Sequence, residues 1–262
     1  MSSSRGKLGQ IRNIFQYGPI YKRPVELVSK IRKGTMSVVA LPRSDSFTAL
    51  EVKETILRMG SVIKGTAFAV ASNQFVTCNH VIDSLFETHQ IILHGHYGTF
   101  GPPSIIHHVS SIRSDTELDL TLMETDKSQG EITPIRVGKE LPPVGLDVLA
   151  VGYPLPEQSS QIDANLRKID VDVTGIFRAI RGIVASRLAD GIHFEIDKLV
   201  NPGQSGGPVV AVSTGELVGM SQAFRSYVRI MGDQPTTIVA DLSMCLSVHA
   251  IRRRLIEWGC EI

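Results

Sequence analysis

The segment Asn201-Pro202-Gly203-Gln204-Ser205-Gly206-Gly207-Pro208 holds the residue types best suited to covalent chemistry. A serine hydroxyl is a poor nucleophile at neutral pH. It needs a base to take its proton and donors to hold the oxyanion that forms on attack. Gly203 lets the backbone bend so that the N–H groups of Gly203 and Ser205 point to one spot. Gly206 and Gly207 leave room for a substrate backbone, and Pro208 leads into the next strand. A plain Gly-rich β-turn is the bland alternative for this segment.

A base for that serine is expected elsewhere in the chain. His80, in Thr77-Cys78-Asn79-His80-Val81, sits at the end of a predicted strand, before a short helical turn. An imidazole, with an ordinary pKa of ~6.5, suits proton transfer at neutral pH. A third group is needed to hold the ring. Asp119, in Leu118-Asp119-Leu120-Thr121-Leu122, is flanked by apolar strand residues, and a partly buried carboxylate requires a partner. Orienting His80 would supply one. Asp115 and Asp126 are rivals, but their polar surroundings read as solvated turns.

The elements that must place these groups are short strands split by turn residues. Candidates are Ser37 to Leu41, Gly65 to Val70, Phe75 to Cys78, Ile91 to His94 and Leu118 to Met123. Val148 to Val151, Ile192 to Ile196, Val209 to Val212, Leu217 to Met220 and Thr237 to Ala240 follow. Ser72-Asn73-Gln74 reads as a hairpin turn. Many short strands, with 23 Gly and 13 Pro, predict an all-β barrel or sandwich. Gly95 to Ser104 and Pro154 to Lys168 read as long loops. Val248, Ile251, Leu255 and Trp258 share one face of a closing helix that Gly259 ends, with Arg252 to Arg254 on its solvated side.

The order His, Asp, Ser and these flanks resemble the trypsin/chymotrypsin-like serine proteases, and most closely their HtrA/Deg branch. The motifs run in order: GTAFAV (65–70), TCNHVI (77–82), DLTLM (119–123), VGLDVLAVGYP (144–154), GIVAS (182–186), FEIDKLVNPGQSGGPVV (194–210) and GELVGMSQA (215–223). The resemblance spans residues 35 to 259. It implies two six-stranded antiparallel β-barrels with the triad between them. Barrel one would cover about 34–137, barrel two about 144–246 and the C-terminal helix about 247–259, within a protease domain of 34–262. It further implies Ser205 as nucleophile, His80 as general base and then acid, Asp119 as its orienter, and the N–H groups of Gly203 and Ser205 as the oxyanion hole. The reaction would pass through an acyl-enzyme on Ser205, with no metal or organic cofactor.

The sequence also departs from its relatives. No PDZ-like module follows the expected domain. There is no Ile-Val-Gly-Gly activation motif, and Gln204 stands where such activation uses an acid. Asn79 replaces the usual alanine before the histidine. The resemblance puts Leu199 at the base of the S1 pocket, with Met220, Ser221, Gln222 and Ala223 along its wall. An apolar pocket predicts cleavage after small or medium apolar residues; nearby Asp197 is the alternative that would favour a basic one. A protease latent until a partner orders its loops and a proteolytically silent module on the same fold are the two other readings. The intact set of three argues against silence.

Composition narrows the classes. The chain has 262 residues, 42% apolar and 20% charged, which excludes wholesale disorder. No run approaches the ~20 apolar residues of a membrane-crossing helix. The net charge of +1 hides a split. Residues 1–33 carry eight basic side chains against Glu26 alone, or +7, leaving 19 basic and 25 acidic residues, or −6, in the body. This arm contains a short amphipathic helix built on Val25, Leu27, Val28 and Ile31 behind Pro24. It is read as a docking or regulatory arm that could meet an acidic partner, an anionic membrane surface or nucleic acid. Three cysteines, Cys78, Cys245 and Cys260, make no disulfide framework, and no secretory leader is visible. Both favour a cytoplasmic setting, with organellar import through the basic arm as the alternative. His94 and His96, near His89, His107 and His108, are read as loop or surface residues rather than a zinc site. Cys78 is read as a small buried hydrophobe.

Overall fold

Runs of β-branched, aromatic and leucine residues pair antiparallel and close on themselves twice. The computed structural model describes residues 24–42, 63–83, 85–95, 105–126, 132–154, 159–163, 168–172, 177–231 and 234–262. Barrel one contains β1 (Thr35–Pro42), β2 (Ile63–Ala69), β3 (Gln74–Thr77), β4 (His89–Gly95), β5 (Ile105–Asp115) and β6 (Leu120–Thr125). Their order around the barrel is β1-β2-β3-β6-β5-β4, and β4 closes on β1 with Ser37 opposite His94. Barrel two contains β7 (Asp147–Gly152), β10 (Arg178–Arg187), β11 (His193–Ile196), β12 (Pro208–Ala211), β13 (Leu217–Met231) and β14 (Gln234–Ser247), ordered β10-β11-β14-β13-β12-β7. Full closure leaves neither sheet an open edge to template aggregation. Between β7 and β10 in sequence, β8 (Ser159–Asp163) and β9 (Lys168–Asp172) pair as a separate two-stranded sheet.

The two-barrel architecture is the one the motifs imply; several local readings differ. The stretch Pro154 to Lys168, read as loop, contains β8. Strands β5 and β10 have no clean alternation to announce them. β5 carries His107, His108 and Arg113, and β10 carries Arg178, Arg181 and Arg187. Cross-strand partners, not local pattern, hold such strands. β13 and β14 pair well past the barrel wall, from Ser226 opposite Val239 to Met231 opposite Gln234. Asp119 was expected on a strand; it lies in the turn before β6. Residues 96–104 of the first expected loop and residues 1–23 of the arm lie outside the described residues.

The core is continuous across the barrel interface. Phe68, Phe75, Leu93, Leu120 and Leu122 fill barrel one and join Leu149, Val151, Met220 and Leu246 from barrel two. Val148, Ala150, Val184, Phe194, Ile196 and Val209 pack a second cluster inside barrel two. Residues 132–146 link the barrels and are held by both. Ile135 donates its N–H to Ala69, and Gly138 donates to Leu217. Helix α1 (Pro24–Arg32) packs Leu27 and Ile31 into the same continuous core, and Thr35 returns a hydroxyl bond to the Ile31 carbonyl. Burying two such side chains is worth roughly 1.5–3 kcal/mol each. Two single-turn helices, α2 (Asn79–Ile82) and α3 (Leu85–Thr88), follow β3.

The closing helix α4 (Val248–Glu257) buries Val248, Ala250, Ile251 and Leu255. Ser247 caps it through the Ala250 N–H, and Gly259, at φ +84°, ends it. Its basic face is less solvated than expected. Arg254 pairs with Asp115 at 2.5 Å and with Glu257 at 2.8 Å, which ties the helix to barrel one. Among the described residues, no helix is long and apolar enough to cross a membrane.

Candidate active site

Strand β3 delivers His80 to the mouth of barrel one. The strand ends at Thr77, Cys78 stays extended, and α2 begins at Asn79. Asn79 is buried and accepts a bond from Thr121 at 3.2 Å, which anchors the turn before the histidine. The His80 side chain remains 51% exposed.

Asp119 approaches His80 from the β5–β6 turn. Asp115 builds that turn by accepting the N–H groups of Glu117 and Leu118, both at 3.0 Å. Asp115 is therefore a structural acid, only 10% exposed, and not a rival for the histidine. Asp119 itself adopts φ +50°, a conformation that aspartate tolerates better than most residues. The twist aims both carboxylate oxygens at one residue. Oδ2 meets His80 Nδ1 at 2.7 Å, and Oδ1 accepts the His80 backbone N–H at 2.9 Å. The hydrogen bond to Asp119 is the largest influence on the imidazole and raises its pKa. Desolvation opposes this, and the carboxylate charge adds to it.

Ser205 comes from the loop between β11 and β12, across the interface. Gly203 at φ +89° and Gly206 at φ +82° give the loop its bends. A side chain on Gly206 would also collide with the Thr66 carbonyl and the Thr77 hydroxyl, so the strained conformation and the space both demand glycine. Barrel one clamps the loop from the other side. Thr66 donates its N–H to the Ser205 carbonyl at 2.9 Å and its hydroxyl to the Gly203 carbonyl at 2.8 Å. The N–H groups of Gln204, Gly206 and Gly207 are all satisfied within the protein. Those of Gly203 and Ser205 have no protein acceptor among the described residues. They are the pair that can serve an oxyanion.

His80, Gly203 and Ser205 line one cavity of about 390 Å³. The Ser205 hydroxyl donates to the Gln222 carbonyl at 3.2 Å, not to His80. Ser221, Gln222 and Ala223 line the same cavity. Leu199 and Met220 do not; Val200 and Phe224 stand there instead, and Met220 is fully buried in the core. Lys64 lines the cavity from barrel one, unannounced by any motif in the sequence. Asp197 is engaged away from it, accepting the Ile183 N–H at 2.7 Å.

A protein family matches this arrangement. A model of the trypsin-like peptidase domain fits residues 65–220. The chain belongs to that family. A crystal structure of the serine endoprotease from Yersinia pestis aligns with the peptidase at 19% identity and a TM-score of 0.57, covering 92% of this chain and 67% of that one. The Rv3671c protease in its inactive form aligns at 16% identity and a TM-score of 0.56, covering 90% and 93%. At these identities the likeness is one of fold. No curated protein matches the sequence of the peptidase.

Cys78, His80 and Asp119 are the one set of three metal-ligand types among the described residues with all ligand atoms within 4.8 Å. The thiol is committed elsewhere, donating to the Ser221 carbonyl at 3.3 Å. Burial, and then the negative charge of Asp119, push the Cys78 thiol well above its ordinary pKa. A protonated thiol is a poor metal ligand. His94 and His107 are buried, not on the surface as the sequence suggested, and His96 lies outside the described residues.

Proposed function

We propose that this peptidase is a serine endopeptidase working through Ser205, His80 and Asp119. The observation that carries the reading is the pair of hydrogen bonds between Asp119 and His80, the histidine lining the cavity that also holds Ser205 and two unused amides. With both Asp119 oxygens engaged, the ring keeps its Nδ1 proton and presents Nε2 to the cavity. Nε2 takes the Ser205 proton as Oγ attacks a peptide carbonyl. The Gly203 and Ser205 N–H groups receive the oxyanion. His80 returns the proton to the leaving amine, and water then releases the acyl group by the same route.

The Ser205–Gln222 bond supports a resting state that becomes active on rearrangement. A rotation about the Ser205 side chain breaks that bond and turns Oγ toward His80; a peptide substrate or an activating partner is the agent proposed to trigger it. Val200, Ala223 and Phe224 along the cavity, with no acid among its lining residues, support small or medium apolar side chains before the cut. The basic segment 1–33 is proposed to meet an acidic partner. A cytoplasmic setting, or an organelle reached through that segment, accords with three unpaired cysteines.

A fluorophosphonate probe tests the core of the reading. Wild-type protein should be labelled on Ser205, and Ser205→Ala should not. Equal labelling of both would reduce the protein to a silent module on a protease fold. Cleavage of a peptide library by the unlabelled wild-type protein would then report the first-pocket preference.

A further inference from the structure

The Asp119 carboxylate spends both oxygens on His80, so its side chain cannot anchor its own turn. The Asp119 N–H bond to Thr116 is long, at 3.4 Å, and the residue holds a left-handed φ. Its backbone must be braced from outside. The brace comes from barrel two. Gln222, buried, extends Nε2 to the Leu118 carbonyl at 2.7 Å and the Asp119 carbonyl at 3.4 Å.

The orientation of that amide is fixed by its neighbours. A carbonyl only accepts, so nitrogen faces Leu118 and Oε1 faces the other way, 3.1 Å from His193 Nε2. His193 Nδ1 lies 2.7 Å from Asp190 Oδ2. Asp190 Oδ1 accepts the Ile192 and His193 N–H groups, both at 2.9 Å, so the acid cannot swing away. Desolvation works against the charged Asp190 carboxyl, yet its bonds to His193 and Ile192 together hold its pKa below the usual value. Both atoms facing the His193 ring are acceptors. Each can accept from the ring nitrogen it faces. Asp190 is the charged group paired with the ring among the described residues.

We propose that Gln222, locked by the Asp190–His193 pair, is a positioning residue that holds the backbone of Asp119 against His80. The proposal rests on the triad reading above. One residue then touches both ends of the reaction: its carbonyl holds the Ser205 hydroxyl and its side chain holds the acid. No sequence motif marks this, since the contacts cross 29 positions to His193 and 104 to Leu118.

The test reads His80 directly by NMR titration of its ring, in the full chain carrying Ser205→Ala, so that no reactive serine is required. Asp119 raises the His80 midpoint; a displaced Asp119 does not. Gln222→Met and His193→Leu should each move that midpoint down toward about 6.5. Removal of His193 leaves the Asp190 carboxylate without its ring partner, and an unpaired anion would push the midpoint up, so a downward shift cannot be a simple charge effect. Combining both changes should shift it no further than the larger single change, as expected of groups acting as a unit. Lowered melting temperatures with an unmoved His80 midpoint would reduce Gln222 to a packing residue and overturn the proposal. Fluorophosphonate labelling of wild-type protein judges the triad reading separately. In chains that keep Ser205, either variant should react with the probe roughly tenfold more slowly, the worth of one hydrogen bond.

Discussion

At the scale of single residues, the site's pH behaviour follows from His80. The residue must be neutral to act as a base, and Asp119 raises its pKa. The acid limb of Ser205 labelling should therefore lie above the ~6.5 of a free imidazole. Linkage gives the stability effect the opposite sense. A raised pKa in the folded state means that folding favours protonated His80. That contribution is fully present below about pH 6.5 and disappears as pH rises through the folded value. The protein should thus hold the Asp119–His80 pair most tightly where labelling is slowest. Asp119→Asn should lower labelling by about 10⁴-fold, because the asparagine amide can stabilise the wrong tautomer, and should shift the remaining acid limb downward. A limb that stays in place would mean that something other than Asp119 sets the His80 pKa. The roles proposed for these three residues were drawn from their flanks and the family resemblance, because each needs a local setting that the sequence spells out: a glycine bend, a strand end, an acid among leucines. The side chain of Gln222 was not, because its role lies wholly in what it meets from distant strands.

At the scale of elements, strand β5 carries two polar residues that local pattern did not explain. Asp115 at the end of β5 both caps the turn that presents Asp119 and pairs with Arg254 of α4. Asp115→Asn keeps an acceptor for the turn and removes the charge; Asp115→Ala removes both. The asparagine variant should mainly lower the melting temperature by weakening the bond to α4. The alanine variant should in addition slow Ser205 labelling several-fold, since the Asp119 turn loses its cap, worth about 1 kcal/mol. Equal labelling by the two would show that the turn needs no cap from Asp115. His107 on β5 presents a different problem. It is buried beside Phe75, and neither ring nitrogen has a hydrogen-bond partner among the described residues. Desolvation, followed by the charge of His108, lowers its pKa. A buried base of this kind makes the unfolded chain take up the proton first. Stability is then lost as pH falls below about 6.5 and levels off below the lowered folded value. His107→Leu should raise the melting temperature and flatten its decline between pH 8 and 5. An unchanged decline would place the acid sensitivity elsewhere. Such a histidine breaks the strand's pattern, which is why β5 was not read as a strand.

At the scale of the molecule, the charge split places +7 on residues 1–33 and −6 on the remainder, while α1 packs its apolar face into the core. The segment thus has two separable properties, a basic charge and an apolar anchor. Leu27→Ala should cost 2–5 kcal/mol of stability, the range for emptying a buried leucine site, since Leu27 is only 1% exposed. It alters no charge, so binding of an acidic partner should survive at temperatures where the body stays folded. Replacing Lys30, Arg32 and Lys33 with glutamine should weaken salt-sensitive binding and, since the Arg32 guanidinium lies 5.6 Å from the centre of the Phe177 ring, should lower the melt by less than Leu27→Ala does. Deleting residues 1–33 should combine both losses. Thermal melts and binding to an acidic polypeptide such as polyglutamate, at two salt concentrations, measure the two properties side by side. If Leu27→Ala leaves the melt unchanged, α1 is an ornament on a body complete without it. If the glutamine changes leave binding unchanged at low salt, the +7 has no electrostatic partner of this kind, and the helix is retained for packing alone.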